Sequence, residues 1–408
     1  MSRRVKNVIV VDDTAVNLAG TAQIAYVTAA VLRDRGYNVV YFAGCGPIHE
    51  RLAGFRVVVA HERPFLDAPN KVNAALEGIH SSKSYEKLRG LLAEFDSMDT
   101  VVHIHSWTHA LSSSIFDAIA DEGFKSVVTL HDYFLMCPNG GFYDYQKNEI
   151  CHLEPCSRAC VLRNCDKRSY AQKLYRLWRI ARQTKSIGRA KPTLCYLSDF
   201  TYDILRGNPF DDGKPVYLPN PIAVEDGVCL GNPRKKTGYL FVGRLDKEKN
   251  PELFCRALAR LGLRGTICGD GPELERLKSE YPNLEFKGWC DKRELSEQFF
   301  ASRALVMTSS CYEASPLVCL EAMFASGIPS VVPDTCGATA YIKNRENGLW
   351  FRSGDVDSLC ESLSQIEDQV FYERMCRNIA ADIDALRSDR SYATYASRII
   401  SLYEEQNV

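Results

Sequence analysis

Two glutamates, Glu313 and Glu321, are the only charged residues in the apolar stretch 304–332. Leu317 lies four positions before Glu321 and Phe324 three positions after it, so a helix would place all three on one face. We expect that face to be buried, and an unpaired buried carboxylate costs on the order of several kcal/mol. A ligand diol could satisfy it, because each hydroxyl donates to one carboxylate oxygen. The alternative is that Glu321 meets an arginine elsewhere or reaches solvent.

The residues between the two glutamates predict the start of that helix. Ser315 is a typical N-cap residue, and Pro316 suits the first helical position. The backbone N–H groups of Leu317 and Val318 then lack partners within the helix. Together with the helix dipole they predict an anion site near Glu313.

A second candidate site follows a predicted strand, in the segment 241–254. Arg244 and Lys249 lie in the loop, and Asn250 with Pro251 begins the next helix. A fork-shaped guanidinium, a mobile ammonium and a helix N-terminus together suit a diphosphate. The alternative is a solvated loop in which these cations pair with the acidic residues Asp246 and Glu248.

A glycine-rich turn, Gly269-Asp270-Gly271, follows the next predicted strand and leads into Pro272, which fits the first position of a helix. Glycine at two of these positions would let the backbone approach a ligand closely. The pattern is common in turns between strands and helices, so it adds only weak support for a ligand.

An alternation of strands and helices must position these residues. Helical patterns at 21–35 and 112–122 fall between continuous apolar runs, which are typical of parallel strands covered on both faces. This βαβ pattern predicts right-handed crossovers and a doubly wound sheet. The runs in the first half lie at 7–13, 37–44, 56–60, 100–107 and 125–133.

The alternation stops in a segment rich in proline and glycine, 216–238, and then resumes. We therefore predict a first domain at 1–218, a linker at 219–236 and a second domain at 237–387. The C-terminal helix, about 388–408, is expected to pack back on the first domain. Ligands of such sheets bind beyond the carboxyl ends of the strands, so the cleft between two domains is the natural site.

The composition is that of a globular protein, with 408 residues, 46% of them hydrophobic and 25% charged. A formal net charge of −1 indicates no nucleic-acid partner. The sequence contains neither an apolar run long enough to span a bilayer nor a signal-peptide pattern at its start. Most of the sixteen cysteines stand singly in apolar stretches, which favours a reducing, cytoplasmic location.

A cysteine-rich segment, 137–168, is a candidate metal site. Cys151, Cys156, Cys160 and Cys165 are spaced by five, four and five positions, and His152 is a further candidate ligand. A structural zinc site needs four thiolates or imidazoles. The spacing lacks a Cys-x2-Cys pair, so zinc and free thiols in a loop both remain open.

The segment that follows, 167–191, has nine Lys or Arg residues and no acidic residue. A helix would place Tyr170, Leu174 and Trp178 on one face, together with Leu177 and Ala181. One interpretation is an interfacial helix that docks on an anionic membrane surface or an anionic glycan carrier. The other is a helix that packs through its apolar face and leaves its charges in solvent.

Taken together and in this order, these segments resemble the family 4 glycosyltransferases. The Glu-x7-Glu pattern of Glu313 and Glu321 matches the signature of that family. The resemblance covers most of the chain and is closer after residue 236. It rests on the segments 241–250, 269–277, 312–332 and 346–351, and in the first half on 33–40, 103–107, 128–132 and 216–222.

The resemblance implies a GT-B fold, in which two Rossmann-like domains with doubly wound parallel sheets face each other across a cleft. It also implies transfer of a sugar from a nucleotide diphosphate donor to a saccharide or lipid-linked acceptor with retention of configuration, without a required metal or cofactor. Surface polysaccharide biosynthesis is the expected setting.

The resemblance also implies a role for each site residue. Glu313 and His131 would contact the donor sugar at the reacting centre, and Glu321 would bind the ribose. The base-side loop would be Gly269-Asp270-Gly271. The donor diphosphate would be bound by Arg244, Lys249, Gly20, Leu317 and Val318.

Two other functions stay open. A related nucleotide-sugar epimerase or hydrolase would consume the donor without an acceptor. A catalytically inactive protein on the same scaffold would bind a nucleotide sugar without turnover. Asp355 and Asp357 form the Asp-x-Asp pattern of metal-dependent transferases, but we assign Asp355 to the cap of a helix rather than to a metal.

Overall fold

The computed structural model describes residues 4–16, 20–67, 69–211, 213–223 and 232–406. The predicted linker therefore lies partly outside the described residues, at 224–231. Two parallel sheets, each covered by helices on both faces, form the core of the described chain. The prediction of two doubly wound domains is confirmed.

The first sheet is parallel throughout, with the strand order β3-β2-β1-β4-β5-β8-β9. Alternate residues of β1 enter cores on opposite faces, since Ile9 packs into one core and Val10 into the other. This double burial explains why the strand reads as a continuous apolar run. The strands are β1 (Asn7–Thr14), β2 (Asn38–Cys45), β3 (Arg56–His61), β4 (Thr100–Ile104), β5 (Lys125–Thr129), β8 (Thr193–Tyr196) and β9 (Val216–Tyr217).

Helices and one hairpin surround this sheet. The hairpin, β6 (Tyr143–Asp144) with β7 (Glu149–Ile150), is antiparallel and belongs to the cysteine-rich segment. The helices are α1 (Thr21–Asp34), α2 (Lys71–Ile79), α3 (Ser82–Leu92), α4 (Ser114–Asp121), α5 (Arg158–Leu162), α6 (Tyr170–Ala190) and α7 (Asp199–Leu205).

The second sheet is also parallel, with the order β12-β11-β10-β13-β14-β15. Its direction of winding reverses between β10 and β13, which creates a crevice at their carboxyl ends. Its elements are β10 (Tyr239–Val242), α8 (Pro251–Leu261), β11 (Gly265–Cys268), α9 (Leu274–Glu280), β12 (Glu285–Gly288), α10 (Lys292–Ala301), β13 (Ala304–Val306), α11 (Leu317–Ser326), β14 (Ser330–Pro333), β15 (Gly348–Phe351), α12 (Val356–Glu367) and α13 (Gln369–Asp389).

Strand β4 ends earlier than its apolar run predicts. The run 100–107 continues past Ile104, but Asp13 at the end of β1 captures the chain beyond it. The carboxylate of Asp13 accepts hydrogen bonds from the backbone N–H groups of His109, Ala110 and Leu111 at 2.7–3.1 Å. These side-chain contacts compete with a sheet ladder and turn the chain into a loop.

Two predicted helix starts are wrong. Pro316 is the N-cap rather than the first helical residue of α11, because its ψ of 109° is extended and its carbonyl accepts a hydrogen bond from Tyr341 at 2.6 Å. Pro272 also lies outside a helix, since α9 begins at Leu274. The other assignments are confirmed: Asn250 caps α8, with Pro251 as its first residue, and Asp355 caps α12.

The last helix, α14 (Tyr392–Gln406), returns from the second domain to the first and packs beside α1. Its Tyr403 hydroxyl lies 2.7 Å from Nδ1 of His103 on β4, and its Tyr395 hydroxyl lies 2.9 Å from Oγ1 of Thr28 on α1. All four side chains are buried. These bonds fix the helix on the first domain.

We predict that Tyr403→Phe lowers the free energy of unfolding by about 1–3 kcal/mol, because it leaves the buried Nδ1 of His103 without its partner. Urea denaturation measures the change. Tyr392→Phe, at the start of the same helix, is the control and should have a smaller effect. Equal stability of the Tyr403 variant and the unmodified protein would contradict the assignment.

Candidate active site

Hydrogen bonds join the loop after β10 to the loop after β13 at the crevice of the second sheet. The amide of Ser310 donates to the carbonyl of Glu248 at 2.8 Å. The side-chain amide of Asn250 donates to the Ser310 hydroxyl at 2.9 Å, and Thr308 Oγ1 donates to the Asn250 carbonyl at 2.8 Å. The two loops that carry the predicted diphosphate and sugar contacts therefore form one rigid unit.

An ion pair between Lys249 and Glu313 spans these two loops. Ser309 donates a further hydrogen bond to the Glu313 carboxylate at 2.6 Å. Burial alone would raise the pKa of Glu313, but the adjacent ammonium and the serine lower it below its ordinary value. Burial would likewise lower the pKa of Lys249, but Glu313 raises it. Both groups are therefore charged at neutral pH.

Arg244 pairs with the two acidic residues, Asp246 and Glu248, that the solvated-loop alternative names. Its side chain is 68% exposed, and its guanidinium lies 2.7 Å from Asp246 and 3.8 Å from Glu248. Asp246 in turn accepts a hydrogen bond from the backbone N–H of Lys249 at 3.2 Å. The guanidinium is thus held beside Lys249 at the surface, and its role toward a diphosphate stays a prediction.

The glycine turn packs against the loop that carries Arg244. A Cβ at Gly269 would lie 1.8 Å from the carbonyl oxygen of Gly243, and one at Gly271 would lie 2.5 Å from that of Leu245. The Leu245 amide donates to the carbonyl of Asp270 at 2.9 Å. Glycine is therefore required here for contact with the protein's own backbone, and a contact with a ligand base stays a prediction.

Helix α11 reaches toward the first domain at its N-terminus. Its first residue, Leu317, packs against the core formed by β1 and α14, whereas Val318 packs against the second domain. Their N–H groups belong to the first turn, so they lack partners within the helix. One helical turn further along, Glu321 lies on the same side of the helix as Leu317.

The prediction that Glu321 is buried is wrong, because its side chain is exposed. The apolar neighbours Leu320, Ala322 and Met323 are buried and account for the misleading pattern. Surrounding protein atoms nevertheless limit the hydration of the carboxyl and raise its pKa, while Lys292 acts in the opposite direction. The Glu321 carboxylate thus reaches solvent, which was the alternative to burial, and it is accessible to a ligand.

Three imidazoles form a row, with the predicted cleft histidine, His131, at one end. His131 Nε2 lies 2.9 Å from Nδ1 of His105, and the two rings stack with centroids 5.2 Å apart. The His105 ring stacks in turn on His103, at 4.5 Å. Burial lowers the pKa of His131 and of His103 to about 3, and the pKa of His105 also falls well below its ordinary value. His131 is therefore neutral, with one nitrogen committed to His105.

His105 is a residue that sequence reasoning missed. It follows His103 by two positions, which is the spacing of side chains on one side of a strand. This spacing in the sequence could have predicted that the two imidazole rings stack. Asp132, next to His131, is also unusual, because burial raises the pKa of its carboxyl to about 6.

Gly20 directly precedes α1 and is exposed. The preceding part of its predicted phosphate-binding loop, 17–19, lies outside the described residues. The contact of Gly20 with a phosphate stays a prediction.

The hairpin of the cysteine-rich segment contacts the loop between Arg244 and Lys249. The Tyr143 hydroxyl donates to the carbonyl of Lys247 at 3.2 Å, and the Tyr145 hydroxyl donates to the Glu248 carboxylate. Both tyrosines were missed, because a contact between domains leaves no periodic pattern in the sequence. The cysteine-rich segment thus directly contacts the loop 244–249, which we call the donor-side loop because it carries the predicted diphosphate contacts.

The four cysteines predicted as zinc ligands differ in their exposure, and zinc binding stays a prediction. Cys160 and Cys165 are buried, but Cys151 is half-buried and Cys156 is exposed. Among the residues that the structure describes, no three His, Cys, Asp or Glu side chains converge as ligands of one ion would. The ammonium of Lys173 contacts both buried sulfurs instead.

Helix α6 is oriented opposite to the expectation for a packed amphipathic helix. Tyr170, Leu174 and Trp178 are 37%, 44% and 60% exposed. Three of its arginines pair with buried carboxylates: Arg182 and Arg189 pair with Asp117, and Arg176 pairs with Asp166. An apolar patch of this kind is unusual on a helix face that contacts only solvent.

Comparisons with known proteins give a family match for the second domain. Residues 229–382, less than half of the chain, match the family model described as glycosyl transferases group 1. Over 164 residues, 40% of this chain, the sequence is 30% identical to a GDP-mannose-dependent alpha-mannosyltransferase of Mycobacterium tuberculosis, covering 42% of that protein. Over 163 residues, 36% of this chain, it is 29% identical to the UDP-Gal:alpha-D-GlcNAc-diphosphoundecaprenol alpha-1,3-galactosyltransferase of Escherichia coli, covering 41% of it. The matches thus span less than half the length of these relatives.

The likeness to solved structures extends over both domains. The structure of Anabaena HepE in complex with UDP superimposes with a TM-score of 0.68 at 15% sequence identity, covering 98% of this chain and all of that one. The prediction of a GT-B fold is confirmed. Within the described ranges, no helix combines the length and the apolarity needed to cross a bilayer.

The histidine row predicts how stability depends on pH. An unfolded imidazole takes up a proton near pH 6.5, but the protein around His103 and His131 lowers the pKa of each ring to about 3. The unfolded chain therefore binds more protons below pH 6.5, and stability falls as the pH drops. Each such histidine contributes a slope of about 1.4 kcal/mol per pH unit.

We predict that His131→Gln removes about 1.4 kcal/mol per pH unit from this slope between pH 6 and pH 5. Urea denaturation at several pH values measures it. His152→Gln alters an exposed histidine and should leave the slope unchanged. The same slope in all three proteins would show that the row does not resist protonation.

Proposed function

We propose that the protein is a glycosyltransferase that moves a sugar from a nucleotide diphosphate donor to a saccharide or lipid-linked saccharide acceptor. The observation that carries the proposal is the Lys249–Glu313 pair at the cleft edge of a group 1 domain. The curated relatives support this class of donor and acceptor, since their names specify GDP-mannose, UDP-Gal and a diphosphoundecaprenol-linked saccharide. Surface polysaccharide biosynthesis is the proposed setting.

The two domains bring the proposed reacting groups toward each other. The rings of Tyr133 and Tyr312 meet across the domain boundary with centroids 6.0 Å apart, and the Tyr312 amide donates to the carbonyl of Gly141 at 3.1 Å. Tyr133 follows His131 by two positions, and Tyr312 directly precedes Glu313. This contact supports a donor sugar held between His131 and Glu313.

Breaking the bond to diphosphate leaves negative charge on the leaving oxygens. Lys249, Arg244 and the first-turn N–H groups of α11 would offset that charge as it develops. Lys249 would then divide its hydrogen bonds between Glu313 and the diphosphate, since an ammonium has three donors. The accessible carboxylate of Glu321 would accept hydrogen bonds from the ribose hydroxyls. We propose that the transfer retains configuration and requires no metal ion.

The neutral state of His131 suits a hydrogen-bonding role. Because its Nε2 is engaged by His105, only Nδ1 remains for a sugar hydroxyl. We propose that His131 positions the sugar and does not carry a charge during transfer.

We predict that Lys249→Met weakens binding of UDP or GDP, whichever the unmodified protein binds, by about tenfold or more, because a charge-assisted hydrogen bond to phosphate is lost. Calorimetric titration measures the affinity. Lys247→Met removes a neighbouring exposed cation and is the matched control, with an expected change of less than about threefold. Unchanged affinity in the Lys249 variant would contradict the proposed donor site.

Turnover assays separate the competing functions. Transfer to an acceptor, with the configuration of the donor sugar retained in the NMR spectrum of the product, supports the proposal. Consumption of a nucleotide sugar without an acceptor would identify a hydrolase or an epimerase. Binding without turnover across a panel of acceptors would favour an inactive binding protein.

We also propose that the exposed face of α6 docks on an anionic membrane surface. Leu174 and Trp178 supply apolar side chains, and Lys167, Arg168 and Lys185 are exposed on the same helix or just before it. Helix α2 lies beside α6, where Tyr175 donates a hydrogen bond to a backbone carbonyl of α2 at 2.9 Å, and α2 adds the exposed side chains of Val72 and Leu76. Apolar insertion with flanking cations is the pattern of interfacial helices.

We predict that the protein floats with vesicles containing phosphatidylglycerol and that Trp178→Ser lowers the bound fraction, with an affinity loss of about tenfold from the lost apolar burial. Trp289→Ser, which alters an even more exposed tryptophan of the second domain, is the matched control. Equal recovery with purely zwitterionic vesicles would exclude docking driven by charge.

A further inference from the structure

Lys173 of α6 is buried in an unusual place. Lys173 is only 1% exposed, and its ammonium lies 2.9 Å from Sγ of Cys165 and 3.4 Å from Sγ of Cys160. Both cysteines are also buried. A buried ammonium requires compensation, and here its close contacts are two sulfur atoms.

The contact places a nucleophilic nitrogen beside an oxidisable sulfur. Peroxide oxidises a cysteine sulfur to a sulfenic acid, which reacts further with a neighbouring nucleophile. The amine nitrogen is already at contact distance from the sulfur that would be oxidised. The enclosed position also keeps bulkier thiols away from the product.

We propose that Lys173 and Cys165 form an oxidant-sensitive site in which hydrogen peroxide joins Nζ to Sγ through one oxygen atom. The first peroxide converts the thiol to a sulfenic acid and releases one water. The second removes two hydrogens as the nitrogen–oxygen bond forms and releases two waters. In sum, one thiol, one amine and two peroxides give one N–O–S link and three waters.

The site is connected to the donor-side loop. The side-chain amide of Asn139 donates to the Cys165 carbonyl at 2.7 Å, and the Tyr145 amide donates to the same carbonyl at 3.2 Å. The Tyr145 hydroxyl in turn donates to Glu248. A covalent link at Cys165 would therefore alter the support of the loop between Arg244 and Lys249.

Peptide mass spectrometry of the full-length protein after peroxide treatment tests the link. We expect a cross-linked pair of peptides containing Lys173 and Cys165, heavier by one oxygen and lighter by two hydrogens, which dithiothreitol separates. Cys156→Ser, which removes an exposed cysteine of the same segment, should retain the link, and Cys165→Ser should lose it. A disulfide as the sole oxidation product would overturn the proposal, as would stoichiometric zinc bound through Cys160 and Cys165.

Hydrogen exchange tests the connection without any nucleotide, so its outcome is independent of the proposed donor binding. We expect oxidation to change amide exchange in the segment 244–250 by about fivefold or more in the unmodified protein and in Cys156→Ser. Formation of the link with unchanged exchange in that segment would overturn control of the donor-side loop.

Discussion

The ion pair between Lys249 and Glu313 is the constraint on which the candidate site depends. Two opposite charges that are largely withdrawn from water must stay in contact, so the loops that carry them cannot move apart freely. Ser309, Ser310 and Asn250 reinforce this arrangement through short hydrogen bonds. A ligand that competes for the ammonium therefore meets a preorganised group, and little reorganisation is needed when charge develops on it.

The first domain contributes through burial rather than through charge. The row of His103, His105 and His131 stays neutral because protein surrounds it, and Tyr403 holds the far end of the row. The second domain thus offers fixed charges, whereas the facing domain offers a neutral hydrogen-bonding ring. This division would suit the proposed transfer, in which charge builds up mainly on the leaving group.

The strands and the two-domain architecture could be predicted from the sequence, because burial on both faces of a parallel sheet leaves continuous apolar runs. The caps Asn250 and Asp355 were also readable, since capping is a local interaction. The start of α11 was not, because the Tyr341 hydroxyl takes the carbonyl of Pro316 from a distant part of the chain. Contacts of this kind have no local signal.

Helix α6 shows the same limit for charge. The nine cations of the segment 167–191 were expected to face a membrane surface or solvent, but three of them pair with the buried Asp117 and Asp166. Buried acids elsewhere in the sequence determine which side of a cationic helix faces the protein. The exposure of Glu321 has a similar origin, since the burial of α11 is set by the elements around it rather than by its own composition.

The path of the chain has one more consequence. It crosses between the domains twice, and the two crossings lie side by side where the Ile222 amide donates to the Arg390 carbonyl at 2.9 Å. The first domain is therefore built from two separate pieces of sequence. If a protease cut both crossings, α14 would become a separate peptide that stays on the first domain only through non-covalent contacts. An intact first domain would then require that this peptide remains bound.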